Sequence, residues 1–124
     1  MYDVNFLIQN GVDVDKSLEL FGDMETYNET IGEFLISAKE KKSKLELYKN
    51  EKDMPNYAIY VHSLKSDARY FGFTRLAELA YNQELKSKAG DISYICEHYQ
   101  ELIDEVNKSL DIVKKYVDPS YRTT

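Results

Sequence analysis

Val61-His62-Ser63-Leu64-Lys65-Ser66-Asp67-Ala68-Arg69-Tyr70-Phe71-Gly72 is the stretch whose reading decides the fold. Wound at about 100° per residue, it divides into two faces. Tyr57, Val61, Leu64, Ala68 and Phe71 share one stripe, spaced as a helix spaces a buried face. His62, Lys65, Ser66 and Arg69 share a polar stripe roughly opposite. One imidazole therefore stands with a Lys one turn ahead, a small Ser beside it and an Arg two turns on. That is more chemistry than a solvated helix face needs. Gly72 then ends or bends the helix, because glycine tolerates the left-handed conformation.

Outward from this helix the chain reads as further helices with short breaks. With Gly at 5 and Pro at 2 in 124 residues, little interrupts them and no flexible linker divides the chain. Residues 1–13 read as loosely structured. A short helix spans about Asp15 to Phe21 and stops at Gly22. Asp23 caps a helix to about Tyr48, with Tyr27, Ile31, Phe34, Leu35, Ala38, Leu45 and Tyr48 on one stripe. Pro55 suits the first turn of the His62 helix. After Gly72 a helix spans about Thr74 to Lys88, with Phe73, Leu76, Ala80 and Gln83 on one stripe. Asp91 caps the last and, on this reading, longest helix, where Ile92, Ile95, Tyr99, Leu102, Val106, Leu110 and Val113 recur until Asp118-Pro119. No stretch alternates with period two long enough to be a strand.

The expected fold is all-α: an antiparallel up-down four-helix bundle with a short N-terminal helix as a lid. It forms a single domain over residues 1–124, with a core at about 11–117 and a short tail at 118–124. In such a bundle the His62 and Thr74–Lys88 helices form a hairpin about Gly72. His62 lies ten residues before Gly72 and Glu84 twelve after it, so the two sit at similar height.

Composition excludes several classes. A net charge of −6 and no dense basic patch argue against nucleic acid. Lys39 to Lys44 has Glu40 within it and reads as a solvated helix end. Cys96 has no partner for an internal disulfide and reads as a small packing residue; Cys/His metal spacing is absent. His98 reads as a solvated surface residue. The 11 tyrosines are expected at core edges, ring in and hydroxyl out. No apolar run reaches the roughly 20 residues of a membrane span and no signal peptide opens the chain, so the expected location is cytoplasmic. The outer side of the last helix carries Glu97, Gln100, Glu101, Asp104, Glu105, Lys108 and Asp111, which suits a monomer rather than an oligomerisation bundle. Met1 at the start and the short polar end Tyr121-Arg122-Thr123-Thr124 favour a free-standing protein.

An imidazole has an unperturbed pKa of about 6.5 and is a nucleophile near neutral pH. On an exposed helix face it can attack a phosphoryl group in line. Lys65 can donate to the phosphoryl oxygens, and Ser66 is small enough to let a partner approach. Glu84 can accept from the other ring nitrogen and fix the tautomer, or can pair with Lys86 or Lys88 at the surface. The chain has no P-loop and no Gly-rich kinase loop, so a partner has to deliver the phosphoryl group.

The run His62-x-Leu64-Lys65-Ser66-x-Ala68-x-x-x-Gly72 resembles the signature of histidine phosphotransfer (HPt) domains: His, any residue, Leu, Lys, Gly, and a Gly ten residues after the His. Arg75-Leu76-Ala77-Glu78-Leu79-Ala80 is similar to the family's second block, and Glu84 falls where the family has Gln or Glu. Gly11-Val12-Asp13-Val14, Leu18 to Phe21 and Gly22-Asp23 are similar to its N-terminal approach, so the resemblance covers about residues 11–117. Ser66 departs from the family's Gly.

The resemblance implies a phosphorelay protein of two-component signalling. His62 would be the phosphoacceptor, phosphorylated on its outer nitrogen, with Lys65 supporting the phosphoryl group and Ser66 and Gly72 serving access and packing. The implied partners are response-regulator receiver domains and a hybrid histidine kinase. Mg²⁺ sits on the receiver, with no cofactor on this chain. Arg69, with Arg75 and Lys86, would meet an acidic rim. The alternative is an HPt-like docking module that binds a receiver or kinase without transfer.

Overall fold

Aspartate caps and a proline set where most of the helices begin. The computed structural model describes residues 2–120. Among them are α1 (Val4–Gln9), α2 (Val14–Phe21), α3 (Met24–Asn50), α4 (Met54–Phe71), α5 (Thr74–Lys88) and α6 (Ile92–Val117), and no strand. Asp13, Asp23, Asp53 and Asp91 cap α2, α3, α4 and α6, each carboxylate accepting from a backbone amide three residues on. Pro55 lies in the first turn of α4.

The four long helices pack in a closed ring: α3 against α4, α4 against α5, α5 against α6, and α6 back against α3. At one end α2 lies on α3 and α4, and α1 lies on α2 and α6. The expected buried stripes meet inside the ring, with Ile31, Val61, Leu64, Leu76, Ala80, Ile95, Leu102 and Val106 all fully buried. A buried polar chain crosses it: the Tyr57 hydroxyl donates to Gln83 Oε1 at 2.6 Å, and Gln83 Nε2 donates to the His98 carbonyl at 3.1 Å. This ties α4, α5 and α6 together with every partner satisfied.

Several expectations are corrected. Residues 1–13 are not loose throughout: Asp3 caps α1, accepting from Asn5, and Leu7 is fully buried. At 27 residues α3 exceeds α6 by one, because it continues to Asn50. Lys39 to Lys44 lies within α3 rather than at its end; Lys41 pairs with Asp67 of α4, and Lys42 Nζ donates to Asn107 of α6 at 2.9 Å. Tyr27 and Tyr57 are buried hydroxyl and all, and burial pushes both phenols up from the usual tyrosine pKa. Cys96 is exposed rather than packed, and His98 is half-buried against the Tyr94 ring. Tyr121 to Thr124 lie outside the described residues.

The α4–α5 turn sets the register of everything that follows. Gly72 has φ +88, and its carbonyl accepts from the Asp13 amide at 2.9 Å. A Cβ there would lie 2.7 Å from the Asp13 carbonyl oxygen and 2.9 Å from Ser17 Oγ. Two independent demands, a left-handed backbone and a close approach, therefore select glycine. Gly90 also has positive φ, but open space surrounds it. Gly72→Ala is expected to destabilise by about 2 kcal/mol or more, and Gly90→Ala by about 1 kcal/mol, in urea unfolding. Equal losses would show that the contact with the α2 N-terminus contributes nothing.

Candidate functional site

The site forms where the middle of α4 faces the last turns of α5. His62 projects from α4 with its side chain 56% exposed, and its Nδ1 lies 2.7 Å from Glu84 Oε2. The contact bears out the similar heights counted from Gly72. A carboxylate can only accept, so Nδ1 carries the hydrogen, and in the neutral ring that leaves the lone pair on Nε2. With Nδ1 turned in to the buried acid, Nε2 is on the far, solvent-facing side of the ring.

Glu84 is the buried half of the pair, its side chain only 4% exposed. Its Oε1 accepts from Lys65 Nζ at 2.5 Å, and its Oε2 accepts from Lys88 Nζ at 2.8 Å as well as from His62. Burial by itself pushes this carboxyl up. The hydrogen bonds from Lys65, Lys88 and His62 outweigh it and hold the pKa down at about 2. Glu84 is therefore an anion at neutral pH despite its burial.

Lys65 is not on a solvated stripe, which corrects the two-face reading of α4. Its side chain is 9% exposed, because the stem runs inward and the ammonium reaches Glu84 beside the Tyr81 ring. The exposed ammonium beside His62 belongs instead to Lys88, whose side chain is 61% exposed. Sequence reading treated Lys88 only as a surface ion-pair partner. Its signal was the spacing: it stands one turn beyond Glu84 on the same face of α5.

Ser66 is exposed one turn from His62, its hydroxyl donating back to the His62 carbonyl at 3.2 Å. Arg69 is exposed, its guanidinium 5.7 Å from the Tyr81 ring centroid. Arg75 and Lys86 are not brought to His62. Arg75, in the first turn of α5, has its Nε 3.8 Å from Glu105, and Lys86 lies over the Tyr94 ring toward α6. An open groove of about 520 Å³ adjoins the imidazole, formed by Pro55, Ala58 and Ile59 of α4 and Ser87 and Lys88 of α5. Among the described residues no group of three or more His, Cys, Asp or Glu could hold a metal ion, and no helix is long and apolar enough to cross a membrane.

An oriented imidazole with an outward lone pair, beside an exposed ammonium, can accept and return an electrophilic group such as phosphoryl. A protein-family model described as Hpt domain matches residues 19–111. No curated protein and no solved structure gives a match.

Removing one side of the buried pair exposes its energetics. Glu84→Gln leaves the Lys65 ammonium buried without its carboxylate and is expected to cost about 3–5 kcal/mol at pH 7, most of it recovered by adding Lys65→Met. The sign with pH follows from a folded pKa of about 2 against an unfolded value of 4.5. Glu84 contributes its full stability above about pH 4.5 and loses it as pH falls toward 2. Urea midpoints across that window should fall less steeply in the double variant than in the native chain. Parallel curves would refute the assignment.

Proposed function

The chain belongs to the Hpt domain family, and on that premise we propose that it relays a phosphoryl group between receiver-domain aspartates through His62 in a two-component phosphorelay. One observation carries the reading: Glu84 engages Nδ1 at 2.7 Å, so the nucleophilic Nε2 is oriented and exposed on a rigid helix. Nε2 attacks the phosphorus of an aspartyl phosphate in line. The bond from phosphorus to the acyl oxygen breaks, and its electron pair returns to the partner's carboxylate. Reversal passes the group to the next receiver. Such a transfer is mostly positioning and charge stabilisation, and the receiver supplies the Mg²⁺.

Lys88 is the donor best disposed to meet the arriving oxygens, since its ammonium is already beside His62 and exposed. Lys65 would support the phosphoryl group by turning from Glu84, and otherwise anchors that carboxylate. Ser66 stands where an approaching receiver would pass, and Arg69 lies two turns on as a docking cation. The groove of Pro55, Ala58 and Ile59 offers apolar contact next to the nucleophile. A hybrid histidine kinase would be the upstream source, and the working state would be a cytoplasmic monomer. The antiparallel up-down course of the four long helices belongs to the same reading. It is supported by the pairing of Tyr57 with Gln83 and of His62 with Glu84 across the Gly72 turn.

Transfer from a panel of phosphorylated receivers with Mg²⁺ tests the proposal. Acid-labile, alkali-stable label is expected on the native chain and none on His62→Gln. Lys88→Ala should slow labelling about tenfold or more, as loss of one charge-stabilising donor does, while Ser66→Gly should match or exceed the native rate. Binding to receivers without label would identify a docking module instead.

A further inference from the structure

The carboxylate under His62 has a consequence for the phosphorylated state. When Nε2 bonds to phosphorus, the ring has given up its lone pair while Nδ1 still carries a hydrogen, so the ring becomes a phosphorylated imidazolium. That hydrogen can then leave or stay. If it leaves, onward transfer has to expel an imidazolate anion, a poor leaving group. If it stays, the electron pair of the breaking Nε2–P bond returns to a ring that departs as neutral imidazole, with its hydrogen still on Nδ1.

We infer that Glu84 retains the proton on Nδ1 of phosphorylated His62 and so keeps the phosphoryl group transferable, acting as a positioning residue with a charge rather than as a mere orienting acceptor. Its biological meaning rests on the relay reading, while the chemistry lies in the His62–Glu84 contact itself. Nδ1 and Oε2 are 2.7 Å apart, and Glu84 is enclosed where water cannot readily replace the contact. A neutral amide at this position could hold the same tautomer before transfer. It could also turn its NH₂ to a deprotonated Nδ1, which would favour the inert form. An anionic acceptor cannot make that second contact.

The charged groups facing the pair are Lys65 from α4 and Lys88 from α5, both hydrogen-bonded to Glu84. Lys65, Lys88 and Glu84 together carry one positive charge, two ammoniums against one carboxylate. A phosphoryl group brings up to two negative charges to Nε2. With the ring proton kept, the cluster is then close to neutral; with the proton lost, it is negative. Lys88, the exposed cation, can follow the phosphoryl oxygens and leave Oε2 to the imidazolium. The Glu84 carboxyl, held near 2, stays ionised throughout.

Phosphoramidate, a small phosphoryl donor that needs no receiver, isolates this step. The chain has two histidines, so the experiment uses His98→Gln to leave His62 as the single imidazole. On ¹⁵N-labelled, phosphoramidate-treated protein, the Nδ1 shift and the ³¹P signal are followed against pH in the Glu84 and Glu84→Gln forms. The comparison is repeated in a Lys65→Met background, where no buried ammonium is left unpaired. Nδ1 of the phosphorylated ring is expected to lose its proton about one pH unit or more higher with Glu84 present, a tenfold or larger shift. Phosphate release should correspondingly stay level over the interval in which it has already slowed in the Gln form. Coincident Nδ1 midpoints in both backgrounds would overturn the inference while leaving the relay reading untouched. A shifted midpoint in a chain that no receiver labels would sink the relay reading and leave this one standing.

Discussion

A carboxylate closed off from water is tolerable in a helical bundle only if cations come to it, and Glu84 has drawn in three donors. Lys65 takes one oxygen, and Lys88 and His62 share the other. Desolvation works against the charge, and the hydrogen bonds exceed it. The arrangement fixes more than an ion pair. It draws the Lys65 stem into the α4–α5 seam, turns the His62 ring so that Nδ1 faces inward, and holds Lys88 beside the exposed nitrogen. The orientation of the imidazole is thus a by-product of neutralising a buried acid.

That convergence depends on register, and register is set by backbone rather than by charge. At Gly72 the α4–α5 turn needs a left-handed residue and also lets the N-terminus of α2 approach to hydrogen-bonding distance. The Tyr57–Gln83–His98 chain pins the same seam nearer its other end and couples it to α6. With the seam held at these two points, the side chains at 62, 65 and 84 have little freedom to miss one another. A rigid platform of this kind suits a reaction in which the protein contributes position and charge rather than a pocket.

Much of the fold was legible because helical periodicity and capping residues are local signals. The apolar stripes of α3 to α6 and the stops at Gly22, Gly72 and Gly90 needed no tertiary information, and counting from Gly72 brought His62 and Glu84 level. Angular position alone misjudged Lys65. It lies about 40° from Val61 on the helical wheel, at the border of the buried stripe. A long aliphatic stem at a border can run either way, and the buried acid on α5 decides which. The Glu84–Lys88 pair was legible as one of two alternatives, but the same limit hid that it brings the ammonium beside His62. It also hid α1, which is too short to show a period and is held by a cap and one buried leucine. The Lys39–Lys44 cluster read as an end because its charges looked solvated; within the bundle two of them are spent on Asp67 and Asn107.

The distribution of charge also governs how a partner approaches. The chain carries a net −6, so an acidic partner is repelled from most of its surface. Around His62 the balance reverses: Lys88 is exposed beside the ring, Arg69 is exposed two turns along, and the acid that offsets them is buried. Next to this patch, Pro55, Ala58 and Ile59 offer apolar surface on α4. On the relay reading, a receiver's acidic centre, guided by repulsion elsewhere and attraction here, would meet the face that carries the His62 ring. Under the relay reading, the buried position of Glu84 therefore serves twice. It orients the ring from below, and by staying out of solvent it leaves the face above the ring positive.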